Sequence, residues 1–351
     1  MIQYNSLDKY LNKLIILTLI FHAFISSTNL NVVQISIEIC LILFFLFSLL
    51  YFKIKFTKLE LFLIILLFFS GLISANTNSF LIFILNFKVF LLPILSLMYF
   101  TKFNVRPYLI KTMLIINVLF FLYQILFNRL PFQFILKPFI GSYAVYLNSR
   151  PLGLFLNTHY SSYILAIFLI YYTFKKKLFG LDFAILYLTM SKFTLLSFFL
   201  NKLLQSKILI YLKKYFKNLI FFLFLIILYY IFKFSDEIYK VDLGTGLSSY
   251  NAIAEQLFKS NSYKLSFTFF PKDATEINKN FTNSVGNEVQ YFSLLYQGGF
   301  LLFLTYIFYL YKHIKFYRIF IFISMLHYGF CMSPLVLYMI SFYSTKMDID
   351  N

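Results

Sequence analysis

Residues 32–52 read VVQISIEICLILFFLFSLLYF, an apolar run that contains a single acidic residue, Glu38. A helix rises 1.5 Å per residue, so about 20 apolar residues cross the ~30 Å hydrocarbon core of a bilayer. Three lysines, Lys53, Lys55 and Lys58, follow directly. Because cytoplasmic loops carry an excess of Lys and Arg, this stretch predicts a transmembrane helix that ends in the cytoplasm.

The rest of the chain repeats this pattern. Further apolar stretches that predict membrane-spanning helices lie near 11–27, 59–75, 79–100, 108–127, 158–174, 178–190, 193–211, 218–234, 288–311 and 316–343. The last stretch is either one long helix or two short helices broken between Gly329 and Pro334. The sequence therefore predicts an all-α integral membrane protein with 11–12 transmembrane helices, which form a single polytopic domain over residues 1–351.

The composition also favours a membrane protein. Of the 351 residues, 61% are hydrophobic and 13% are charged, whereas soluble domains contain about 45–50% apolar and about 25% charged residues. Fifty Phe and 29 Tyr against 10 Gly and 7 Pro exclude a disordered or fibrous chain. Cys40 and Cys331 both lie inside apolar runs, so the sequence predicts neither a disulfide framework nor a metal site.

The positive charges predict the orientation. The formal net charge is +18, and 17 of the 31 Lys and Arg residues lie in alternate short connections between the apolar stretches. This predicts a cytoplasmic N-terminus, a turn near Ser191 and Lys192 on the outer side, and two outer loops, 128–157 and 235–287. Anionic membrane lipid, and not nucleic acid, is then the partner of the basic residues. The 53 residues of loop 235–287 exceed an ordinary connection and favour a lid or binding loop.

The first candidate motif ends the outer loop 128–157. Residues 148–160 read NSRPLGLFLNTHY. Arg150 at the membrane boundary can bind a phosphate through two parallel hydrogen bonds, while the following Pro and Gly fix the backbone around it. The alternative is an interfacial arginine that reaches toward lipid headgroups.

Two further motifs lie at predicted outer boundaries. Residues 188–194 read LTMSKFT, in which Lys192 is either an anion-binding charge or an interfacial anchor. Residues 286–292 read GNEVQYF and precede the glycine pair 298–299, where the large loop returns to the membrane.

In this order and topology the three motifs resemble the O-antigen polymerase and ligase superfamily. Members carry an Arg-x-x-Gly-x-Phe segment ahead of a span, as residues 150–155 do here. A Ser-Arg turn, a large periplasmic loop and a polar doublet before a Gly-containing helix follow, which resemble Ser191 and Lys192, loop 235–287 and residues 287–288. The chain departs from the pattern in having Lys192 in place of the usual Arg and no Arg in the large loop.

The resemblance implies glycosyl transfer at the periplasmic face of the bacterial inner membrane, from undecaprenyl-diphosphate-linked oligosaccharides and without metal or nucleotide. Wzy-type polymerases join repeat units into O-antigen or capsule-type polysaccharide, with a chain-length regulator as a possible partner. Ligases transfer the glycan to lipid A–core in lipopolysaccharide biosynthesis, and typically carry a His where this chain has Gly286, which favours the polymerase. A lipid-linked oligosaccharide flippase is the non-enzyme alternative, although two related halves are not visible in the sequence.

The chemistry that this reaction requires predicts the catalytic residues. Fixed cations stabilise the negative charge on the leaving diphosphate, and Arg150 and Lys192 are the expected cations. A general base takes the proton of the attacking sugar hydroxyl, and Glu288 and His159 are the candidates. Their alternative roles are a helix cap for Glu288 and an interfacial polar residue for His159.

Four residues are predicted to bind substrate. Gly153 and Asn157 belong to the first motif and Asn287 to the third, while Lys88 lies midway along the apolar stretch 79–100. A lysine at that depth costs about 2.5–3.5 kcal/mol, so Lys88 should face protein or a wet cavity. It either forms a structural ion pair with Glu38 or lines the diphosphate cavity as a third cation. Asp182 is expected to pair with the lysines at 175–177.

Overall fold

The computed structural model describes residues 6–26, 30–77, 80–103, 105–107, 109–131, 151–176, 181–189, 191–205, 290–325 and 332–350. These residues are mostly helical and contain no β-strand, so the all-α prediction is confirmed for them. The helices are α1 Ser6–Ile25, α2 Asn31–Tyr51, α3 Lys58–Thr77, α4 Phe80–Lys102, α5 Ile110–Phe127, α6 Thr158–Lys176, α7 Leu181–Tyr187, α8 Lys192–Gln205, α9 Gln290–His313, α10 Arg318–Ser324 and α11 Pro334–Asp350. A 3₁₀ turn, Lys315–Tyr317, joins α9 to α10.

Most helix bounds lie close to the predicted apolar stretches. Helix α7, Leu181–Tyr187, is however shorter than the predicted span 178–190 and too short to cross a bilayer, and α11 extends to Asp350, beyond the predicted end at 343. The predicted stretch 316–343 contains two helices, since α10 ends at Ser324 and α11 begins at Pro334. The predicted span 218–234, the large loop 235–287 and most of the outer loop 128–157 lie outside the described residues.

Two helices in the described part are long and apolar enough to cross a membrane, Val32–Tyr51 and Ile110–Phe127. Shorter apolar helices cover Tyr10–Ile25 and Phe90–Lys102. Only 28% of the first of the two long helices and 33% of the second is buried. Their remaining surface carries many exposed apolar side chains, among them Leu43, Phe47, Leu119 and Leu126.

The core is built around α4 and α11. Every residue from Leu92 to Phe100 in α4 and from Leu335 to Ile340 in α11 is buried. A helix that is enclosed on all sides must be apolar all round, and these two segments are nearly so. The two helices pack against each other, α4 also contacts α2, α3 and α9, and α11 also contacts α1 and α6.

A short hairpin brings α7 and α8 together. Asp182 near the start of α7 forms an ion pair with Lys202 near the end of α8, so the two helices run antiparallel. The turn predicted near Ser191 and Lys192 is therefore present, because α8 begins at Lys192. Lys202 is a partner for Asp182 that the sequence did not predict.

Helix α9 is broken at Gly299, which follows the closely packed Gly298. Gly299 has φ 73° and ψ 166°, which interrupts the helical backbone. Gly298 is packed so closely that a Cβ atom there would lie 2.5 Å from Cζ of Phe90. The hydroxyl of Ser70 donates a hydrogen bond to the Gly298 carbonyl at 3.2 Å, so α3 and α4 both hold this break.

Candidate active site

One end of the helix bundle gathers two of the sequence motifs. Nδ1 of His159, in the first turn of α6, lies 3.1 Å from Oγ of Ser191, directly before α8. The hydroxyl of Tyr160 lies 2.5 Å from Oγ of Ser333, directly before α11. The N-terminal ends of α6, α8 and α11 therefore meet, and we call this region the motif end.

The segment 151–157, here called the motif loop, is held by two side chains of α5. Oε1 of Gln124 accepts hydrogen bonds from the backbone N–H groups of Leu152 at 2.6 Å and Gly153 at 3.1 Å. Oδ1 of Asn117 accepts the N–H of Leu154 at 2.9 Å. Asn117 and Gln124 are both buried, so these bonds are shielded from solvent.

Ser161 of α6 closes the motif loop from its other side. Its hydroxyl accepts the N–H of Phe155 at 3.2 Å and donates to the carbonyl of Leu152 at 2.9 Å. The side-chain amide of Asn117 donates to the carbonyl of Ser161 at 2.9 Å, which ties α5 to α6 at the same point. The loop, α5 and α6 thus share one hydrogen-bonded network.

Both the backbone conformation and the lack of room for a Cβ atom require glycine at position 153. Its φ is +70°, in the left-handed region that side chains disfavour. A Cβ atom would lie 2.5 Å from Cβ of Ser161 and 2.8 Å from Oδ1 of Asn117. Its described contacts are with the protein, and its predicted role in binding substrate stays a prediction.

All four backbone N–H groups from Leu152 to Phe155 in the motif loop donate hydrogen bonds. Each of these four N–H groups donates to a side chain of the protein. A loop can bind phosphate through successive free N–H groups, but this one presents none of the four to a ligand. If this motif binds phosphate, these four N–H groups do not contribute, and the side chain of Arg150, the residue directly before the loop, is the expected contact.

Asn157 caps helix α6. Its Oδ1 accepts the N–H of Tyr160 at 3.0 Å, which is the usual bond of an N-cap residue. The hydroxyl of Thr158 donates to the carbonyl of Pro151 at 2.7 Å and fixes the start of the loop against the helix. A substrate contact by Asn157 stays a prediction.

Four polar side chains form a cluster between α6 and α8. Ser191 Oγ lies 2.8 Å from Thr194 Oγ1, which lies 3.0 Å from Ser162 Oγ. Ser162 donates to the carbonyl of His159 at 2.9 Å. The three hydroxyl residues are buried, whereas His159 is partly exposed. Residues three apart on each helix pair with each other, so α6 and α8 run side by side in the same direction.

The remaining predicted site residues are only partly described. Arg150, Asn287 and Glu288 lie outside the described residues. For Lys88 in α4 and Lys192 at the start of α8, the structure describes the backbone. Lys192 directly follows Ser191, so its backbone lies at the motif end. The roles of all these residues in the site stay predictions.

Glu38 lies in a second buried polar group, between α1 and α2. Its Oε1 pairs with Nε2 of His22 at 3.2 Å and accepts the side-chain amide of Gln34 at 2.9 Å. Neither partner was predicted from the sequence. The expected pairing with Lys88 stays a prediction.

A third polar group lies where α3 begins and α4 ends. Buried Glu60 pairs with Lys102 at 2.7 Å and accepts the N–H of Thr57 at 2.7 Å. The hydroxyl of Tyr309 donates to the other carboxylate oxygen at 3.1 Å, so both oxygens of Glu60 have partners. Burial lowers the pKa of nearby His313 to about 4, although the negative charge of Glu60 acts to raise it. This fully bonded group is structural.

Sequence reasoning missed Asn117 and Gln124, although a signal was present. They are polar residues seven positions apart in an apolar stretch, so they lie on one helix face. That spacing predicts a polar face directed into the protein. It does not identify the motif loop as its partner.

No family model matches this chain, and neither a curated protein nor a solved structure is similar to it. Among the described residues, no group of three or more His, Cys, Asp or Glu side chains is placed to hold a metal ion.

Proposed function

We propose that this chain is a membrane glycosyltransferase of the O-antigen polymerase type. It joins undecaprenyl-diphosphate-linked oligosaccharides into O-antigen or capsule-type polysaccharide at the periplasmic face of the bacterial inner membrane. One observation carries the proposal: His159 of the first motif and Ser191 of the second, 32 positions apart in sequence, lie 3.1 Å apart. A site that uses both Arg150 and Lys192 requires this proximity.

The exposed apolar surface supports a membrane location. A buried core helix and a transmembrane helix share length and composition, but Val32–Tyr51 and Ile110–Phe127 are mostly exposed. Helices α3 and α9 also carry outward apolar stripes at helical spacing: Leu61, Ile65, Phe68 and Leu72, and Leu301, Leu304, Phe308 and Tyr311. In water such surfaces drive aggregation, whereas lipid solvates them. Membrane lipid is accordingly the first partner we propose.

The charge pattern alone carries the proposed orientation. It assigns the loop 151–157 and the starts of α8 and α11 to the outer side, and Lys55 and Lys102 to cytoplasmic connections. The packing does not separate these two groups to opposite ends, because the hydroxyl of Tyr338 in α11 donates to the carbonyl of Val105 after α4 at 3.2 Å.

The proposed reaction transfers the growing chain from its lipid carrier to a single lipid-linked repeat unit. The acceptor hydroxyl oxygen attacks the anomeric carbon of the donor, and the bond from that carbon to the diphosphate breaks. Undecaprenyl diphosphate leaves with the electron pair, and Arg150 and Lys192 stabilise its charge. A base, His159 or Glu288, accepts the hydroxyl proton.

The direct test is a gel of surface glycan and lipid-linked intermediates from a strain that lacks only this protein. A polymerase predicts loss of the ladder while single repeat units still reach lipid A–core. Long chains that accumulate on the carrier would instead indicate a ligase. Single units retained on the cytoplasmic side would indicate a flippase and would contradict the proposal.

Complementation with point variants tests the site. Arg150→Ala should abolish chain extension while the protein accumulates normally in the membrane. Arg318→Ala is the matched control, because Arg318 is partly exposed and its guanidinium donates to the carbonyl of Tyr311 in the same helix bundle. A normal ladder from Arg150→Ala would remove Arg150 from the mechanism.

A further inference from the structure

The directions of the hydrogen bonds in the cluster between α6 and α8 are determined by counting protons. Each hydroxyl has one proton to donate. Ser162 donates its proton to the carbonyl of His159, because a carbonyl oxygen can only accept. In the 3.0 Å contact between Ser162 and Thr194, Thr194 must then be the donor.

The same argument extends to the histidine ring. Since Thr194 donates to Ser162, the 2.8 Å contact between Thr194 and Ser191 requires Ser191 to donate. The proton of Ser191 is thereby used, so Ser191 accepts in its 3.1 Å contact with His159. Nδ1 of His159 must therefore carry a proton. The four groups form a closed cycle that begins at the ring of His159 and ends at its own carbonyl.

We infer that neutral His159 is held as the Nδ1–H tautomer, with the lone pair on Nε2, and that it is the general base of the proposed reaction. The proton on Nδ1 follows from the cycle alone, whereas the lone pair on Nε2 belongs to the inference and the role as base rests on the proposed function. Ser162, Ser191 and Thr194 are positioning residues, because they act through the ring.

The proton transfer balances within the proposed reaction. Nε2 accepts the proton from the acceptor hydroxyl while its oxygen forms the bond to the anomeric carbon. The carbon–oxygen bond to the diphosphate breaks, and the electron pair leaves with undecaprenyl diphosphate. His159 then returns the proton to water or to the released diphosphate, which restores the neutral ring.

Burial of the three hydroxyl residues preserves the donor-to-acceptor direction of the hydrogen bonds in the cycle. The residues Ser162, Ser191 and Thr194 are 0%, 2% and 4% exposed, so water does not compete for their protons. Both neutral tautomers of a free imidazole are available, and a hydrogen bond to one nitrogen selects which one carries the proton. The partial exposure of His159 contrasts with the burial of its three partners.

The first test measures the tautomer and does not depend on function. Nitrogen-15 NMR of histidine-labelled protein in lipid nanodiscs, at about pH 8 and above the ordinary histidine pKa of about 6.5, distinguishes protonated from unprotonated ring nitrogens. The His159→Gln variant identifies the signal among the four histidines. We expect a proton on Nδ1. Thr194→Val removes the acceptor of Ser191, which can then donate to Nδ1 and shift the proton to Nε2, whereas Thr194→Ser preserves the cycle.

The second test measures polymerisation of purified lipid-linked repeat units. Removing a general base typically lowers the rate 10²–10⁴-fold, so His159→Gln should lower kcat about 100-fold or more. Thr194→Val should lower kcat about tenfold or more with little change in KM, and Thr194→Ser should restore it. The matched control is Thr305→Val, whose hydroxyl donates to the carbonyl of Leu301 in its own helix at 2.8 Å, in α9, which packs on α3 and α4.

The outcomes separate the inference from the proposed function. A native protein with the proton on Nε2 overturns the tautomer. A proton on Nδ1 together with normal kcat in His159→Gln overturns the role as base. If native protein forms no polymer, the proposed function fails and the base assignment fails with it, while the NMR result still decides the tautomer.

Discussion

Replacing Gln124 should release the motif loop without removing any residue that is predicted to contact substrate. One oxygen of Gln124 accepts two backbone N–H groups of the loop, at 2.6 and 3.1 Å. Gln124→Met preserves the length of the side chain but provides no acceptor of comparable strength. Each buried donor left without a partner costs about 1–3 kcal/mol, so the native loop conformation should lose about 2–6 kcal/mol.

The matched substitution is Gln124→Glu, which keeps an oxygen in the accepting position. The amide nitrogen of Gln124 has no hydrogen-bond partner among the described residues, so its replacement by oxygen removes none of the described bonds. We therefore expect Gln124→Glu to retain most polymerising activity and Gln124→Met to lose at least 90% of it, about 1.4 kcal/mol in the barrier.

Loss of general stability is controlled by an equivalent amide elsewhere. Oδ1 of buried Asn201 accepts the N–H of Phe320 at 3.2 Å, between α8 and α10. Asn201→Leu should lower the melting temperature while changing chain extension less than Gln124→Met does. Ladder length is read from gels of surface glycan, and stability from thermal melting in detergent. Equal activity of Gln124→Met and wild type would refute the reasoning that α5 positions the motif loop.

Three further substitutions have expected outcomes. Gly153→Ala should destabilise the loop by about 1–3 kcal/mol, seen as a lower melting temperature, because its Cβ would lie 2.5 Å from Cβ of Ser161; an unchanged melting temperature would contradict this. Lys102→Met should cost about 3–5 kcal/mol by leaving Glu60 buried without its cation, and the double variant with Glu60→Gln should recover much of that loss; an additive result would argue against the ion pair. If Lys192 contacts phosphate, Lys192→Arg should retain more chain extension than Lys192→Gln, whereas equal activity would favour the interfacial anchor.

The helices were predictable because they depend on local composition. The apolar stretch 108–127 became α5 with nearly the predicted bounds, Ile110–Phe127. The break in 316–343 was also visible, since Pro334 favours the first position of a helix. Length and apolar character determine such elements without reference to the rest of the chain.

The partners of the polar residues were not predictable in the same way. The expected pairing of Asp182 with the neighbouring lysines at 175–177 stays a prediction, but the antiparallel packing of α7 and α8 brings it an unpredicted partner, Lys202. Ser162 and Thr194 are 32 residues apart, and only the parallel packing of α6 and α8 brings their hydroxyls to 3.0 Å. These pairings depend on helix packing, which composition does not encode.

The saturation of the motif loop by protein groups has a physical consequence for the proposed site. Irregular backbone at membrane depth is tolerated only where its N–H and C=O groups are satisfied within the protein or by enclosed water. The four amides from Leu152 to Phe155 meet this condition through side chains of α5 and α6. At the membrane location that we propose, the loop can therefore keep its shape beside lipid, and none of these four amides is spare for a diphosphate. Recognition of that charge in the proposed site then depends mainly on cationic side chains, which is why we expect removal of Arg150 to abolish the reaction.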